Sequence, residues 1–247
     1  MIRVYGTVYN NRNRVPYCLR SLSPLSAKFY IIDNYSTDGT FEYLKRSKNV
    51  RIKQEKCNRG KGRQLAMEMA IVDSKDNDPI FYVDFDTIYS KRFIKLIKDI
   101  IPRLKDNELW YTILTTVKTA KKLEWKELLA GEDWERIARA KNINIKLMGK
   151  DIELVGKIAE NEPYDKSNRE NRYESGISFY IRAFNAMVDI ERGWAFKTPN
   201  EFFKEMGDTN KKWKIFIYII AFYVAKIKGI YEYNEKLNNR KYALSSR

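Results

Sequence analysis

Two aspartates, Asp84 and Asp86, follow the apolar run IFYV (80–83) and lie one residue apart. If this run is a β-strand, side chains at positions i and i+2 point to the same face, so both carboxylates are aimed at one point. Two negative charges at close range repel each other unless a cation lies between or beside them. A hard divalent ion with oxygen ligands, Mn²⁺ or Mg²⁺, is the natural partner, and it usually brings phosphates with it. The alternative is a pair of solvated aspartates that begin a loop.

The elements that must hold this pair alternate along the chain. Apolar periodicity predicts strands over 2–8, 28–34, 50–54, 79–84 and 109–117, and helices over 14–22, 40–47, 91–105 and 124–142, the last interrupted at Gly131. The segment 58–74 opens with glycines and continues as a helix. This alternation predicts an α/β fold with a mostly parallel central sheet flanked by helices. Segments 174–190 and 200–206 predict a helical C-terminal region.

Polar residues also end the first two predicted strands. Asn10 and Asn11 follow the first strand, and Asp33 lies at the end of the second. Ligands of parallel α/β sheets bind outside the carboxyl ends of the strands, so we expect these residues to share one site with the aspartate pair. A carboxylate such as Asp33 can accept hydrogen bonds from the edge of a nucleotide base.

Two further segments are rich in turn-forming residues. In NRGKGR (58–63), which precedes a helix, backbone amides, Lys61 and Arg63 could face a diphosphate, although a plain surface loop is the alternative. In YSTDGT (35–40), Asp38 and Gly39 give a strong turn signal beside a helix start. We therefore interpret Ser36 to Gly39 mainly as architecture.

Composition narrows the chemistry further. The 247 residues include no histidine, which excludes histidine acid–base catalysis and histidine-ligated metals. The two cysteines, Cys18 and Cys57, match no zinc or redox spacing and favour reduced cytosolic thiols, with a single disulfide left open. The formal net charge of +15 favours an anionic partner, or else simply reflects a lysine-rich solvated surface.

Taken in order, several segments resemble family 2 glycosyltransferases of the GT-A fold over about residues 2–140. They are VYGTVYNNRNRVPYCLRSL, YIIDNYSTDGTFEYL, NRGKGRQLAMEMA, VDFD and GEDWERIAR. The resemblance implies a GT-A-like sheet and the transfer of a sugar from a nucleoside-diphosphate sugar to an acceptor hydroxyl. It also implies a metal-dependent, inverting, single displacement.

The same resemblance assigns roles to residues of the donor site. Asp86 would bind the Mn²⁺ or Mg²⁺ ion, without the histidine ligand that many such enzymes add. Gln64 departs from the asparagine that commonly follows the family's arginine. The nucleotide-sugar site would be formed by Val8, Asn10, Asn11, Asp33, Lys61, Arg63 and Asp84.

The catalytic base is assigned through GEDWERIAR (131–139). By resemblance, Asp133 would accept the acceptor's proton, and Glu132 would orient Asp133 or stand in for it. The alternative is an ordinary helix N-terminus, where acids complement the dipole. The short interval between Asp86 and Asp133 leaves the acceptor open, whether glycan, lipid-linked sugar or protein.

We expect one GT-A-like domain over 1–247. Its predicted parts are a nucleotide-sugar-binding half (1–117), an acceptor side (118–190) and a C-terminal helical extension (191–247).

The apolar run IFIYIIAFYVA (215–225) is too short to span a bilayer. With its lysine flanks over 211–228, it could lie in a membrane interface, or it could form a buried or homodimer-forming helix. The N-terminus has no signal-peptide layout. A cytoplasmic protein, at or near the inner face of the membrane, is therefore expected.

A second class of function is a non-catalytic nucleotide- or nucleic-acid-binding protein on a degenerate GT-A fold. The net charge and the 14% aromatic content would suit it. The sequence has no recognisable nucleic-acid motif, so nucleic acid is disfavoured. A UDP-sugar is the favoured donor because Asp33 is compatible with uridine.

Overall fold

The computed structural model describes residues 1–127 and 132–149, together with the four single residues Ile220, Tyr223, Val224 and Ile227. The chain divides into two compact units. The first comprises Met1–Glu127 and Ala140–Tyr164, and the second comprises Leu128–Arg139 and Asp165–Arg247. The division into functional parts within a single domain stays a prediction.

The first unit is built on a seven-stranded sheet. Its strands are β1 (Arg3–Val8), β2 (Lys28–Asp33), β3 (Val50–Gln54), β4 (Pro79–Tyr82), β5 (Glu108–Trp110), β6 (Leu114–Thr116) and β7 (Lys146–Met148). They lie in the order β3-β2-β1-β4-β6-β5-β7. The four strands β3, β2, β1 and β4 are mutually parallel, and β6 is antiparallel to both of its neighbours. The predicted α/β fold with a mostly parallel sheet is confirmed.

Helices alternate with these strands as predicted. They are α1 (Val15–Leu22), α2 (Thr40–Lys45), α3 (Arg59–Val72), α4 (Lys91–Ile100), α5 (Val117–Ala120) and α6 (Glu132–Asn142), with 3₁₀ turns at Ser23–Leu25 and Ile101–Arg103. Local sequence explains several boundaries. The side chains of Asn58 and Ser90 cap α3 and α4 by accepting hydrogen bonds from backbone amides in the first turn. Pro102 lies in the 3₁₀ turn after α4 and explains why the helix ends before the predicted residue 105.

Both faces of the sheet are covered by apolar side chains. One core packs Val4, Ile31 and Phe81 against α1 and α4, and the other packs Tyr5, Ile32 and Ile80 against α3. Successive strand residues therefore point into opposite cores. Because both faces are buried, the central strands read as nearly continuous apolar runs.

The far side of the sheet departs from the sequence prediction. The single strand predicted over 109–117 is wrong, because β5 and β6 form a tight hairpin, with Trp110 opposite Leu114. Tyr111 and Thr112 make the reversal with φ values of 50° and 63°. Neither residue type favours the left-handed region, so the turn had no signature in the sequence. The strand predicted over 79–84 ends at Tyr82, and β7 was not predicted.

Helix α3 approaches β1 closely at Gly62. A Cβ added there would lie 2.6 Å from the Cγ2 atom of Thr7 and 2.9 Å from the Sγ atom of Cys57. We expect Gly62→Ala to lower the free energy of unfolding by about 1–3 kcal/mol, because an overpacked site must move its neighbours. Urea denaturation measures this. Gly39→Ala has open space around the added Cβ but a positive φ, so its loss should come from the backbone alone.

Asp73, which follows α3, forms ion pairs with two cationic side chains of the sheet. Its carboxylate lies 2.8 Å from the Lys28 Nζ atom and 3.0 Å from the Arg51 Nη1 atom, and Tyr30 donates to it at 3.1 Å. The hydrogen bonds from Lys28 and then Arg51 lower the pKa of Asp73 from 3.8 to about 2. Because the pKa of Asp73 is lower in the folded state, its carboxylate stabilises the folded state at pH values above its unfolded-state pKa. This contribution is lost as the pH falls toward 2.

We therefore expect the stability difference between wild type and Asp73→Asn to be constant above pH 5. It should shrink between pH 4 and pH 2, where the wild-type carboxylate becomes protonated. Denaturant melts at pH 6, 4, 3 and 2 measure this difference. A difference that grows as the pH falls would contradict the role assigned to Asp73.

The predicted helices over 174–190 and 200–206 lie outside the described residues. Of the apolar run 215–225 and its flank, Ile220, Tyr223, Val224 and Ile227 are described, and all four are helical. Among the described residues, no helix is long and apolar enough to cross a bilayer.

Candidate active site

The carboxyl ends of the parallel strands bring most of the predicted donor-site residues to one edge of the sheet. Val8 at the end of β1 pairs with Asp33 at the end of β2, and Asp33 pairs with Gln54 at the end of β3. On the other side of β1, the Val83 amide donates to the Tyr5 carbonyl at 3.0 Å, which continues the pairing toward Asp84. The carboxyl ends of these strands therefore lie side by side at one edge of the sheet, as expected.

The aspartate pair lies in the loop that follows β4. Phe85 between the two aspartates is buried in the core, whereas the Asp84 side chain is 56% exposed and Asp86 is half-buried. The Asp84 amide donates to the Tyr89 hydroxyl at 3.1 Å, and the Thr87 amide donates to the Asp84 carbonyl at 3.2 Å. Because β4 ends at Tyr82, the two aspartates lie in a loop and not in the predicted strand, and their convergence on one point stays a prediction.

Asp84 is held by two side chains below it. The Tyr82 hydroxyl donates to its Oδ1 atom, and the Arg63 Nη2 atom lies 3.4 Å from the same oxygen. The Arg63 guanidinium carbon lies 4.2 Å from the ring centroid of Tyr82 and 4.8 Å from that of Trp125. Aromatic faces stabilise a cation by their negative quadrupole. Arg63, only 2% exposed, is therefore an internal support of Asp84 in this structure.

The rings of Tyr82 and Trp125 together form what we call the aromatic cage of Arg63. Trp125 lies in the loop after α5. Its indole Nε1–H donates to the Tyr5 hydroxyl at 2.9 Å, and its backbone amide donates to the Gln64 Oε1 atom at 2.7 Å. Gln64, the departure from the family's usual asparagine, thus fixes the segment that covers Arg63.

We expect Arg63→Lys to lower the free energy of unfolding by about 1–3 kcal/mol. Lysine cannot reproduce a planar cation stacked on two rings, and it carries its charge into a buried position. Urea denaturation of the variant measures the loss. Arg92→Lys, at an exposed position of α4, is the matched control and should change stability by less than about 0.5 kcal/mol. If the two variants were equally stable, the claim that the aromatic cage of Arg63 stabilises the fold would be contradicted.

Asp33 is fully buried and its carboxylate is occupied within the protein. The Ser36 amide and the Gln54 Nε2 atom each donate to its Oδ2 atom at 3.0 Å, and the Ser36 hydroxyl donates to Oδ1. These contacts fix the turn after β2. The Asp33 carboxylate is therefore shielded from solvent in this structure.

The YSTDGT turn is locked to the loop after β1. The Asn10 amide donates to the Ser36 Oγ atom and the Asn10 side-chain oxygen accepts from the Thr37 amide, both at 2.8 Å. Asp38 accepts from the Arg12 amide at 2.9 Å. Partial burial opposes ionisation of Asp38, but hydrogen bonds from Thr40 and Arg12 outweigh it and lower its pKa. These contacts agree with the architectural interpretation of Ser36 to Gly39, and they give Asn10 a structural role as well.

Asn11 is buried beside this turn. Its amide donates to the Thr40 Oγ1 atom at 2.9 Å, and its carbonyl accepts from the Arg14 and Val15 amides at the start of α1. Asn11 thus joins the loop after β1 to both α1 and α2.

The NRGKGR segment forms the cap and first turns of α3. Helix α3 begins at Arg59, so Gly60 and Gly62 are helical residues that pack inward. Lys61 is partly exposed near the helix N-terminus, where backbone amides and the helix dipole favour an anion.

Both cysteines are free thiols, which closes the disulfide question. Cys18 is buried behind the aspartate loop, with its Sγ atom 3.9 Å from the Asp84 carbonyl oxygen. Burial, reinforced by the charges of Asp86 and Asp84, raises the pKa of Cys18 well above its ordinary value. Burial likewise raises the pKa of Tyr89, so its hydroxyl stays protonated against the loop.

Glu132 and Asp133 lie at the N-terminus of α6, in the second unit. Glu132 is fully buried, whereas Asp133 is partly exposed. The predicted helix over 124–142 is wrong over 124–127, which are not helical, and α6 begins at Glu132; Gly131 lies outside the described residues. Both acids lie in the first turn of their helix.

Sequence reasoning missed the aromatic residues of the site. Tyr82, Tyr89 and Trp125 hold Asp84 or its backbone directly or through Arg63, but each reads in the sequence as an ordinary core aromatic. Tyr9 and Tyr35, after β1 and β2, are exposed large side chains at the same sheet edge. Exposure beside a strand end is the signal that identifies them, and it becomes visible only in the structure.

Asp84 and Asp86 offer the hard oxygen donors that a divalent ion prefers. Within residues 1–127 and 132–149, no group of three or more acidic or thiol side chains converges to hold a metal. Among these described residues, the acids that could contribute to a metal site at this edge are therefore the exposed Asp84 and the half-buried Asp86.

Comparison with known proteins agrees with this geometry. The family described as glycosyl transferase family 2 matches residues 5–159. The crystal structure of S. aureus TarS 1-349 superposes with a TM-score of 0.50 at 14% identity, covering 78% of this chain and 80% of that chain. No curated protein matches the sequence. With a GT-A-like α/β fold and a family match over more than half its length, the chain belongs to glycosyl transferase family 2 and is a glycosyltransferase.

Proposed function

We propose that this enzyme binds a nucleoside-diphosphate sugar, with UDP as the nucleotide, at the carboxyl ends of β1, β2 and β4. The observation that carries the proposal is the aspartate loop, in which Phe85 is buried, Asp84 is exposed and Asp86 is half-buried. Parallel α/β sheets bind their ligands at this edge. The predicted nucleotide-site residues Val8, Asn10 and Asn11 belong to the same edge.

The nucleoside would lie over the loops after β1 and β2. The exposed ring of Tyr9 offers a face on which a base can stack, and stacking of this kind is worth about 1–3 kcal/mol. Asp33 would shape the base pocket through Ser36 and Gln54. Direct contact between the Asp33 carboxylate and the base requires the Ser36 side chain to turn aside, because Ser36 donates both its amide and its hydroxyl to that carboxylate.

The diphosphate would lie between the aspartate pair and the N-terminus of α3. Asp86 would hold a Mn²⁺ or Mg²⁺ ion, while Asp84, oriented by Tyr82 and Arg63, would contact the ribose or a metal-bound water. Such an ion acts as a Lewis acid that neutralises charge on the leaving diphosphate. Lys61 would contribute a positive charge at the helix N-terminus, whereas the buried Arg63 would act through Asp84.

Asp133 would act as the general base for the acceptor hydroxyl. Its partial exposure suits a group that must reach a substrate, and the burial of Glu132 suits a residue that orients its neighbour. Removal of the proton as the hydroxyl oxygen attacks the anomeric carbon would release the nucleoside diphosphate from the opposite side. The reaction would therefore invert the anomeric configuration.

The C-terminal run 215–225 supports a peripheral membrane contact through 211–228. Ile220, Tyr223 and Ile227 follow helical spacing on one face and are 41%, 58% and 69% exposed. An exposed apolar face bordered in sequence by lysines suits an anionic interface, and we propose a location at the inner face of the membrane. The alternative is that this apolar face forms a homodimer contact. The acceptor of the sugar is a glycan, a lipid-linked sugar or a protein.

The proposal is tested by measuring nucleotide release from a panel of UDP-, GDP- and dTDP-sugars, with and without Mn²⁺. Release of UDP from one sugar nucleotide, dependent on Mn²⁺ and inverted at the anomeric centre of the product, is the expected result. Release from a GDP- or dTDP-sugar alone would overturn the assignment of the base. Nucleotide binding without any release would favour a non-catalytic binding protein.

A further inference from the structure

A surface groove on the first unit lies between the C-terminal part of α1, the 3₁₀ turn after it, and α4. Its volume is about 590 Å³. Arg20 on α1 and Lys91, Lys95 and Lys98 on α4 supply its positive charges, and Pro24 and Ile94 supply apolar surface. We call this feature the α4 groove.

The cations of the α4 groove form a row. Lys91, Lys95 and Lys98 are spaced at i, i+4 and i+7, so they lie on one helix face over roughly 10 Å. All three are exposed, and in the described part of the chain no ion pair joins them or Arg20 to an acid. Asp99 is the one acid among the lining residues. The row thus presents net positive charge to whatever occupies the groove.

The floor of the groove is apolar. Ile94 is buried in the core, and the Tyr89 ring stacks on Phe93 with 4.7 Å between the ring centroids. The same Tyr89 hydroxyl accepts from the Asp84 amide, so the groove adjoins the aspartate loop from behind. A cationic rim above an apolar floor suits an anionic amphiphile.

We propose that the α4 groove binds the phosphate headgroup of an anionic lipid, which places this face of α4 against a membrane surface. The apolar floor favours a lipid over a nucleic acid strand. Proteins that bind single strands offer exposed aromatic platforms, and Tyr89 lies buried and already stacked on Phe93. A row of lysines on one face can meet a planar charged surface simultaneously. The α4 groove shares no residue with the run 215–225. The proposal for the groove does not depend on the donor assigned above.

The test is partition of the full chain onto vesicles of phosphatidylcholine alone or with 30% phosphatidylglycerol, measured by co-sedimentation. Wild type is compared with the triple variant Lys91→Gln, Lys95→Gln, Lys98→Gln. We expect binding to the anionic vesicles that falls at high salt, and a loss of about a hundredfold in partition for the triple variant. A thermal melt verifies that the variant is folded.

The matched control carries Lys45→Gln, Lys48→Gln and Lys105→Gln, three exposed lysines elsewhere on the first unit. It removes the same net charge and should retain most of the partition. An equal loss in both variants would attribute binding to net charge and overturn the proposal. Unchanged partition of the α4 variant would do the same, and would leave the run 215–225 as the membrane contact. Binding of a single-stranded oligonucleotide is measured for the same proteins. If the α4 variant lost oligonucleotide binding but kept vesicle binding, the groove would be reassigned to nucleic acid.

Discussion

Asp133→Asn is expected to lower the rate of sugar transfer by about 10²–10⁴-fold, which is the usual contribution of a general base. The amide keeps the shape of the side chain but cannot accept the proton of the attacking hydroxyl. Donor binding should be unchanged, because this residue is assigned to the acceptor's proton. The measurement is steady-state nucleotide release with saturating donor, accompanied by a nucleotide-binding isotherm.

Two companion variants separate the role of Asp133 from a general effect on α6. Glu132→Gln should lower the rate less than Asp133→Asn, because Glu132 is buried and assigned to orientation. Asp99→Asn, an exposed substitution on α4, should leave the rate unchanged. Normal turnover of Asp133→Asn would show that the two acids only complement the helix dipole.

Asp86→Ala is expected to remove the dependence of nucleotide binding on Mn²⁺ and to slow transfer by at least about 10²-fold. Metal stabilisation of a leaving diphosphate is worth several kcal/mol, and Asp86 is the proposed protein ligand. The fold should survive, because the side chain is half-buried at the solvent side of the loop. Nucleotide release across a Mn²⁺ titration measures both effects.

Glu42→Ala, which removes an exposed acid from α2, is the matched control and should behave like wild type. A Mn²⁺ titration of Asp86→Ala that superposes on the wild-type curve would move the metal to another residue. A loss of thermal stability without any ligand would instead show that Asp86 supports the loop.

Much of the central sheet could be predicted because its strands carry strong local signals. The runs that became β1, β2 and β4 are apolar and end in polar residues. The capping side chains Asn58 and Ser90 begin the helices that follow β3 and β4. The β5–β6 hairpin could not be predicted. Its turn depends on Tyr111 and Thr112 in a backbone conformation that tertiary packing imposes and neither residue type favours.

The meeting of polar residues at the strand ends could be predicted, but the contacts among these residues could not. The position of the aspartate pair after a buried strand follows from the apolar run before it, although β4 ends at Tyr82 and leaves both aspartates in a loop. The support of Asp84 by Arg63 depends on Tyr82 and Trp125, which come from separate segments. Arg63 was predicted to face a diphosphate because it lies in a glycine-rich, basic segment before a helix. Nothing in that segment indicates that aromatic rings will enclose the guanidinium.

Asp33 illustrates a second limit of the sequence. A strand-end carboxylate is expected to face a ligand, yet here the protein's own donors, Ser36 and Gln54, occupy it. Gln54 reaches Asp33 from the neighbouring strand, and such pairing depends on sheet register rather than on local sequence. The contacts of a buried polar group therefore had to be read from the structure.

Calorimetric titration of UDP into the protein, with and without Mn²⁺, tests the central claim most directly. We expect tight binding that requires Mn²⁺ in wild type and in Glu42→Ala, and weak, metal-independent binding in Asp86→Ala. GDP and dTDP should bind more weakly than UDP under the same conditions. Binding of UDP that is equally tight without Mn²⁺, or unchanged in Asp86→Ala, would contradict a metal–diphosphate site at the aspartate pair.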